Sequence, residues 1–299
     1  METLGRIDDV RGACDSARRA GQRVGLVPTM GAFHAGHRSL MRAARVDCDL
    51  VVVSLFVNPT QFGPTEDLAA YPRDLDADSA AAAADGVDVL FTPSVEEMYP
   101  EPGLTTVHVD RLTDQLCGAR RPGHFDSVTT IVTKLFSIVG PCAAYFGRKD
   151  AQQLAVVRRM VRDLDLPVDV VGCPLVREPD GLAMSSRNAY LSDAERSAAT
   201  VLSRSLREVG DAVRAGERRG ETLRRMLVDA VAKESLVELD YAEVVDAESL
   251  EPVHDVTGLA LVAIAANVGR ARLIDNCTIS VAPDGRATVD LGVVADVDA

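Results

Sequence analysis

The chain has 299 residues, and its 45 Asp and Glu against 32 Lys and Arg give a formal net charge of -13 at pH 7. This acidic balance argues against a surface that binds nucleic acid, because phosphate backbones are bound by clustered Lys and Arg side chains. The apolar stretches are far shorter than the roughly 20 residues that a membrane helix needs, and the start of the chain lacks the pattern of a signal peptide. We therefore expect a cytoplasmic protein that binds neither nucleic acid nor membranes.

Six cysteines are scattered along the chain, without the close spacing of a zinc site or of a small disulfide-linked domain. We expect them to be reduced and mostly buried, where cysteine behaves as a small apolar residue. The sequence therefore offers no obvious cysteine nucleophile.

Short β-rich runs alternate with helical patterns through the first 176 residues, which is typical of βαβ units and a parallel sheet. Strands are predicted at residues 23–29, 50–57, 87–92, 143–147 and 168–176. Between them, apolar residues recur at helical spacing over residues 128–139 and 154–164, which predicts two amphipathic helices.

The pattern changes after a turn-like cluster at residues 178–181. Ser192 and Glu195 form a capping-box pattern that predicts a helix start, and charged helical sequence continues to about residue 235. Strand-like runs follow at residues 240–245, 259–268 and 272–281. We therefore predict a Rossmann-like α/β domain with a parallel sheet over residues 1–176, followed by a smaller α+β lid domain over residues 177–299.

The most informative segment is PTMGAFHAGH, residues 28–37, where the first long strand ends and a helix should begin. A helix N-terminus at the carboxyl edge of a parallel sheet favours phosphate. Gly31 and Gly36 permit close backbone approach, and His34 and His37 can donate to phosphoryl oxygens. The two histidines could instead bind a metal, although no cysteine or carboxylate is spaced to complete such a site. A locally basic pocket is compatible with an acidic chain.

Three further segments carry polar side chains at predicted strand ends or in the connection between the two domains. Asn58 and Gln61 follow the second long strand, where their amides suit a hydroxy acid, although Asn58 fits a plain turn equally well. Lys149 can reach phosphates, and Asp150 can bind a ribose or cap a helix. The segment MSSR at residues 184–187 suits a phosphate clamp, the alternative being a solvated linker.

The H-x-G-H motif resembles that of the nucleotidylyltransferase superfamily, and its context resembles the pantothenate synthetase family. The matching segments are SLFVNPTQF at 54–62, YPR at 71–73, RPGHF at 121–125, FGRKDAQQ at 146–153, REPDGLAMSSRNAYL at 177–191 and ARLIDN at 271–276. They run through nearly the whole chain in the family's order. The resemblance implies an ATP- and Mg²⁺-dependent ligase that joins pantoate to β-alanine through a pantoyl adenylate, releases AMP and pyrophosphate, and forms a homodimer.

The resemblance also implies roles for individual residues. His37, His34 and Lys149 would be catalytic, and pantoate would be bound by Gln61 and Gln153, with Asn58 as a further substrate residue. The ATP site would consist of Met30, Gly31, His34, Gly36, His37, Gly147, Arg148, Lys149, Asp150, Val176, Met184, Ser185, Ser186 and Arg187. No direct protein ligand of Mg²⁺ is identified, although Asp76 and Asp78 could approach it through water.

Two positions depart from the family pattern. Arg148 stands where the family usually has glutamate, and Ser127 stands where it usually has glycine. These departures leave open a related adenylate-forming ligase with a different hydroxy acid or amine. A nucleotide-binding protein without catalysis is disfavoured, because both histidines, Lys149 and the 184–187 segment are intact.

Overall fold

The computed structural model describes residues 1–63, 68, 69 and 71–295. The chain forms two compact units. The N-terminal unit consists of Met1–Arg148 with Gln152–Cys173, and the C-terminal unit of Lys149–Ala151 with Pro174–Ala299. The division into two domains at residue 176 stays a prediction of the sequence.

A six-stranded parallel sheet forms the centre of the N-terminal unit, with the strand order β1-β4-β3-β2-β5-β6. Its strands are β1 (Glu2–Leu4), β2 (Val24–Thr29), β3 (Leu50–Leu55), β4 (Val89–Phe91), β5 (Cys142–Gly147) and β6 (Val168–Cys173). The middle of β3 is fully buried, as expected for a strand covered on both faces. The α/β class predicted for this part of the chain is confirmed.

Helices pack around this sheet. They are α1 (Ile7–Arg19), α2 (Ala35–Asp47), α3 (Leu75–Ala84), α4 (Val95–Met98), α5 (Leu116–Arg120), α6 (His124–Val139) and α7 (Ala151–Asp163). The apolar residues predicted to form one face of α6 are all buried. In α7 the predicted face is buried from Leu154 to Met160, but Leu164 lies beyond the helix end and is half exposed.

The strand register brings three connections to one edge of the sheet. β2 pairs with β3 so that Thr29 lies opposite Leu55, and it pairs with β5 so that Leu26 lies opposite Ala144. Because these strands are parallel, the segments that follow them emerge at the same carboxyl edge. The predicted histidine, Asn58 and Arg148 segments therefore start side by side.

The C-terminal unit contains a four-stranded antiparallel sheet with the order β11-β10-β9-β8. Its elements are β7 (Val176–Arg177), α8 (Asp193–Ala199), α9 (Val201–Arg214), α10 (Gly220–Val231), β8 (Val237–Asp246), β9 (Leu259–Val268), β10 (Ala271–Val281), β11 (Ala287–Asp290) and β12 (Val293–Val294). The capping box of Ser192 and Glu195 is present at the start of α8. The predicted smaller α+β region is confirmed.

The predicted strand over residues 168–176 was wrong in its extent. β6 ends at Cys173, and residue 176 belongs to β7, which pairs in parallel with β12. Pro174 explains the break, because proline has no N–H group for a sheet hydrogen bond.

No helix in the described part of the chain combines the length and the apolar character required to cross a membrane.

A buried ion pair links β7 to β10 in the C-terminal unit. The Arg177 guanidinium donates two hydrogen bonds to the Asp275 carboxylate, at 2.7 and 2.9 Å, and both side chains are almost completely buried. Arg177 also donates to the carbonyl oxygens of Leu291 at 2.5 Å and Gly181 at 3.0 Å. This geometry satisfies the charge of Arg177 inside the protein and ties three segments together.

We expect Asp275→Asn to lower the free energy of unfolding by about 3–5 kcal/mol, because it leaves the Arg177 charge buried without its counter-charge. Urea unfolding, followed by circular dichroism, measures this loss. Asp240→Asn is the matched control, since Asp240 pairs with Arg272 at 2.8 Å in a less buried position of the same sheet. It should cost no more than about 1 kcal/mol. Equal losses for the two variants would contradict a special role for the buried pair.

Candidate active site

The segment between β2 and α2 is fixed from both sides. The Thr29 hydroxyl donates to the carbonyl of Ser54 on β3 at 2.7 Å, and it accepts from the N–H of Gly31 at 3.4 Å. Gly31 has a φ of +88°, and a Cβ atom there would lie 2.9 Å from Oδ2 of Asp78. Gly31 is therefore required by its conformation and by the close approach of a carboxylate.

Both predicted histidines lie at the N-terminus of α2. His34 is the N-cap residue, and its Nδ1 accepts from the N–H of Gly36 at 3.1 Å. In the neutral ring this role places the proton on Nε2. The rings of His34 and His37 stack with their centroids 4.1 Å apart. The helix dipole and the imidazoles therefore favour an anion at this position.

Asn58 forms a turn directly after β3. It is fully buried, and its Oδ1 accepts from the hydroxyls of Thr60 and Tyr99, each at 3.0 Å. Burial raises the pKa of Tyr99, so its hydroxyl stays protonated and able to donate. The Nδ2 atom of Asn58 is buried and has no hydrogen-bond partner among the described residues. The turn interpretation thus accounts for the oxygen of this amide, whereas its nitrogen is a buried donor that the turn does not use.

The C-cap residue of α5, Arg121, and the first turn of α6 hold the backbone around Gln61. The Gln61 carbonyl accepts from Arg121 and from His124, each at 3.2 Å. Ser127 donates to the carbonyl of Thr60 at 2.6 Å. The Ser127 hydroxyl, one of the two departures from the family pattern, therefore adds a bond to the turn that carries Gln61.

Two consecutive glutamines of α7 have different environments. Gln152 is buried, accepts from the N–H of Cys117 at 2.9 Å, and donates to the carbonyls of Leu112 and Gln115. These bonds use both N–H donors of its amide and one acceptor position of the amide oxygen for structure. Gln153, which was predicted to bind a substrate, is partly exposed.

A 3₁₀ turn, Arg148–Asp150, follows β5. In the N-terminal unit, no described atom lies within 4 Å of a Cβ placed on Gly147, so the backbone there is open to a ligand. The Nε of Arg148 lies 3.6 Å from a Cβ placed on Gly172 of β6. The reversed charge at position 148 is therefore located beside the end of β6.

Lys149 is held through its backbone within the C-terminal unit. Its carbonyl accepts from Nδ2 of Asn276 on β10 at 2.9 Å, and its Nζ lies 3.7 Å from Asp150. Asn276 follows Asp275, the partner of Arg177, so the ARLIDN segment supports the turn that presents Lys149. The contact of Asn276 with Lys149 joins positions 127 apart in the chain, and no local pattern in the sequence predicts it.

The 184–187 segment has a defined backbone rather than that of a solvated linker. The N–H of Met184 donates to the carbonyl of Val176 at 2.9 Å. Ser185 caps the 3₁₀ turn Ser186–Tyr190 and accepts from the N–H of Arg187 at 3.3 Å. This arrangement places two hydroxyls and a guanidinium in one short segment.

The cysteines remain reduced, and five of the six are buried. Burial raises the pKa of Cys14 to about 11 and the pKa values of Cys142 and Cys277 to about 12. Such thiols are almost entirely protonated at neutral pH and are poor nucleophiles.

We therefore expect a thiol reagent such as iodoacetamide to label the native protein slowly at pH 7, and first at Cys117, which is partly exposed. Mass spectrometry of peptides after timed labelling measures this order, with the urea-unfolded protein as the control for complete labelling. Rapid labelling of Cys142 or Cys277 in the folded protein would contradict the raised pKa values.

A family model, related sequences and solved structures all match this chain to one protein family. The model of the pantoate-beta-alanine ligase family matches residues 2–278. A pantothenate synthetase of Heliobacterium modesticaldum is 57% identical over 263 residues, 88% of this chain and 94% of that protein. A pantothenate synthetase structure from Thermus thermophilus has a TM-score of 0.88 at 48% identity, covering 92% of this chain and 98% of that one.

A further structure, a pantoate-beta-alanine ligase from Francisella tularensis complexed with beta-gamma ATP and beta-alanine, has a TM-score of 0.76 at 32% identity. It covers 92% of this chain and 97% of that one. The chain therefore belongs to the pantoate-beta-alanine ligase family.

Proposed function

We propose that this protein condenses pantoate with β-alanine to form pantothenate, using ATP and releasing AMP and pyrophosphate. Membership of the family supports this function, and so does the position of the stacked histidines at a helix N-terminus, beside the turn of Asn58 and Gln61. A different hydroxy acid or amine is not favoured, because Ser127 and Arg148 occupy positions that leave this arrangement intact.

The reaction needs activation of a carboxylate, which is a poor electrophile at neutral pH. A pantoate carboxylate oxygen attacks the α-phosphorus of ATP, the bond to the β-phosphate breaks, and pyrophosphate leaves. The β-alanine amine then attacks the acyl carbon of the adenylate, and the carbon–oxygen bond to AMP breaks. Neither step requires a protein nucleophile, which is consistent with the protonated thiols.

The protein's task is to position the substrates and to stabilise charge on the phosphoryl oxygens. We assign this task to His34 and His37, with His37 as the principal catalytic group. The Nε2 proton of His34, set by its capping bond, gives one donor, and the N–H groups of the first turn of α2 give others. Met30, Gly31 and Gly36 would let the nucleotide approach the backbone.

Residues of the next segments complete the proposed ATP site. Lys149 would be a further catalytic group that neutralises phosphate charge, together with the two hydroxyls and guanidinium of the 184–187 segment. These hydroxyls and this guanidinium belong to Ser185, Ser186 and Arg187, and the remaining contacts would come from Gly147, Arg148, Asp150, Val176 and Met184.

Pantoate carries a carboxylate and two hydroxyl groups, which match amides that donate and accept. We assign its binding to Gln61 and Gln153, with Asn58 as a third substrate residue. The buried Nδ2 of Asn58 supports this assignment, because an N–H donor without a partner is costly until a ligand accepts from it.

Mg²⁺ fits this site as a companion of the nucleotide. Magnesium usually keeps several waters and binds substrate phosphates, and no three His, Cys, Asp or Glu side chains in the described part of the chain are grouped to hold a metal. When bound, the ion would cancel part of the triphosphate charge.

We also propose that the protein acts in the cytoplasm as a homodimer, as expected for the family.

Purified protein with MgATP and pantoate should release pyrophosphate in an amount close to that of the protein, and addition of β-alanine should start continuous AMP formation. A coupled pyrophosphate assay and chromatography of AMP measure the two steps. Other hydroxy acids and amines serve as controls for specificity. If pantoate gives no pyrophosphate while another acid does, the proposed substrate is wrong.

His37→Ala should lower the rate of adenylate formation by about 10²–10³-fold, since it removes a group that stabilises charge in the transition state. The affinity for ATP should fall much less. Rapid-quench measurement of pyrophosphate and calorimetric titration with ATP separate the two effects. His254→Ala is the control, because His254 is 92% exposed and should leave both unchanged. An unchanged rate in His37→Ala would remove this residue from catalysis.

A further inference from the structure

The loop that leads from β2 into α2 has a backbone conformation that its sequence does not favour. Gly31 has a φ of +88°, and the next residue, Ala32, has a φ of +53°. Positive φ is easy for glycine, but in alanine it brings Cβ close to the following carbonyl oxygen. Contacts from outside the loop must therefore stabilise Ala32 in this conformation.

The Asp78 side chain provides these contacts. It lies in the first turn of α3 and is only 4% exposed. Its Oδ2 accepts from the N–H of Ala32 at 2.9 Å, and its Oδ1 accepts from the N–H of Phe33 at 2.7 Å. Hydrogen bonds to an ionised carboxylate are stronger than those between neutral groups, and both oxygens are used here.

The N–H groups that Asp78 binds belong to the two residues directly before His34. His34 caps α2, and its ring stacks on that of His37 at 4.1 Å. A backbone rotation at Ala32 or Phe33 would therefore displace the first imidazole and disturb its stacking on the second. The carboxylate of Asp78 therefore binds the backbone that leads directly into the first of these histidines.

The C-terminal end of α3 also binds α2. Asp85, the C-cap residue of α3, accepts from Arg38 at 2.6 and 3.0 Å and from Arg42 at 2.8 Å. Both arginines belong to α2. Burial raises the pKa of Asp85, but the hydrogen bonds from the arginines outweigh this effect and hold it below its ordinary value. Helix α3 therefore contacts the loop before α2 through the Asp78 carboxylate, and it contacts α2 itself through the Asp85 carboxylate.

We propose that Asp78 is a positioning residue for adenylate formation, which holds the 31–33 loop in the conformation that aligns His34 and His37. This inference rests on the proposed function. Both carboxylate oxygens of Asp78 bind the loop backbone, so this role differs from the water-mediated magnesium contact considered for Asp76 and Asp78 from the sequence, which stays a prediction.

Asp78→Asn tests this role with a side chain of nearly the same size. The amide keeps one acceptor and turns a donor toward a backbone N–H, so one of the two loop contacts becomes repulsive. We expect kcat for pyrophosphate formation with pantoate and β-alanine to fall by about 10–100-fold. The KM for ATP and pantoate should change little, and the pyrophosphate burst should still count one active site per chain.

Asp246→Asn is the matched control. Asp246 also accepts from two consecutive N–H groups, those of Glu248 at 3.0 Å and Ser249 at 2.8 Å, but it does so in a turn of the C-terminal unit. It should leave kcat unchanged. Wild-type kcat in Asp78→Asn, or a loss that excess Mg²⁺ restores, would overturn the positioning role. Absence of pantoate-dependent pyrophosphate from the wild-type protein would instead overturn the proposed function.

Hydrogen exchange of the wild-type protein tests the role of Asp78 even if the variant does not fold. Amide hydrogen exchange, followed by NMR, should show Ala32 and Phe33 protected although they lie outside helix and strand. The ring signals of His34 and His37 should shift in a folded Asp78→Asn protein. Unprotected exchange at both amides would show that the carboxylate does not hold the loop and would overturn the inference.

Discussion

Parallel hydrogen bonding of β2 to β3 on one side and to β5 on the other is the constraint on which the proposed site depends. It fixes which residues end each strand at the carboxyl edge, so the histidine segment, the Asn58 turn and the turn at Arg148 begin together. The fully buried strands at the sheet centre leave little freedom to change this register, since a shift by one residue would exchange the two faces of a strand.

Buried polar side chains then give each segment its shape. Asp78 fixes the histidine loop, Asn58 closes the turn after β3, and Asn276 holds the carbonyl of Lys149. The ion pair of Arg177 and Asp275 organises the segments of the C-terminal unit around it. Because polar groups removed from water are costly unless hydrogen bonded, these contacts favour one conformation of each loop over its alternatives. Precise loops on a rigid sheet suit chemistry that relies on positioning and charge.

The sequence predicted those features that depend on local pattern. The periodicity of α6, the capping box at Ser192 and the buried strand β3 follow from residues close together in the chain, and all three are confirmed. The three-residue strand β1 was missed, because so short a segment carries no detectable alternation. The end of β6 was misplaced, although Pro174 gave a signal that could have corrected it.

Contacts between distant residues account for most of what sequence reasoning missed at the site. Asp78 reaches the backbone of Ala32, and Tyr99 donates to Asn58, across 46 and 41 positions of the chain. No local spacing encodes such pairs. The sequence motifs identified the residues of the proposed site. The side chains that hold those residues in place were identified only in the folded structure.

The most direct test of this account uses pantoate whose carboxylate is labelled with ¹⁸O. In the proposed reaction a carboxylate oxygen bonds to the α-phosphorus and leaves with AMP when the amine attacks the acyl carbon. Mass spectrometry of AMP from a turnover with MgATP and β-alanine should therefore show one ¹⁸O atom per molecule. AMP without the label, or ¹⁸O in inorganic phosphate or pyrophosphate, would contradict the adenylate mechanism and the site derived for it.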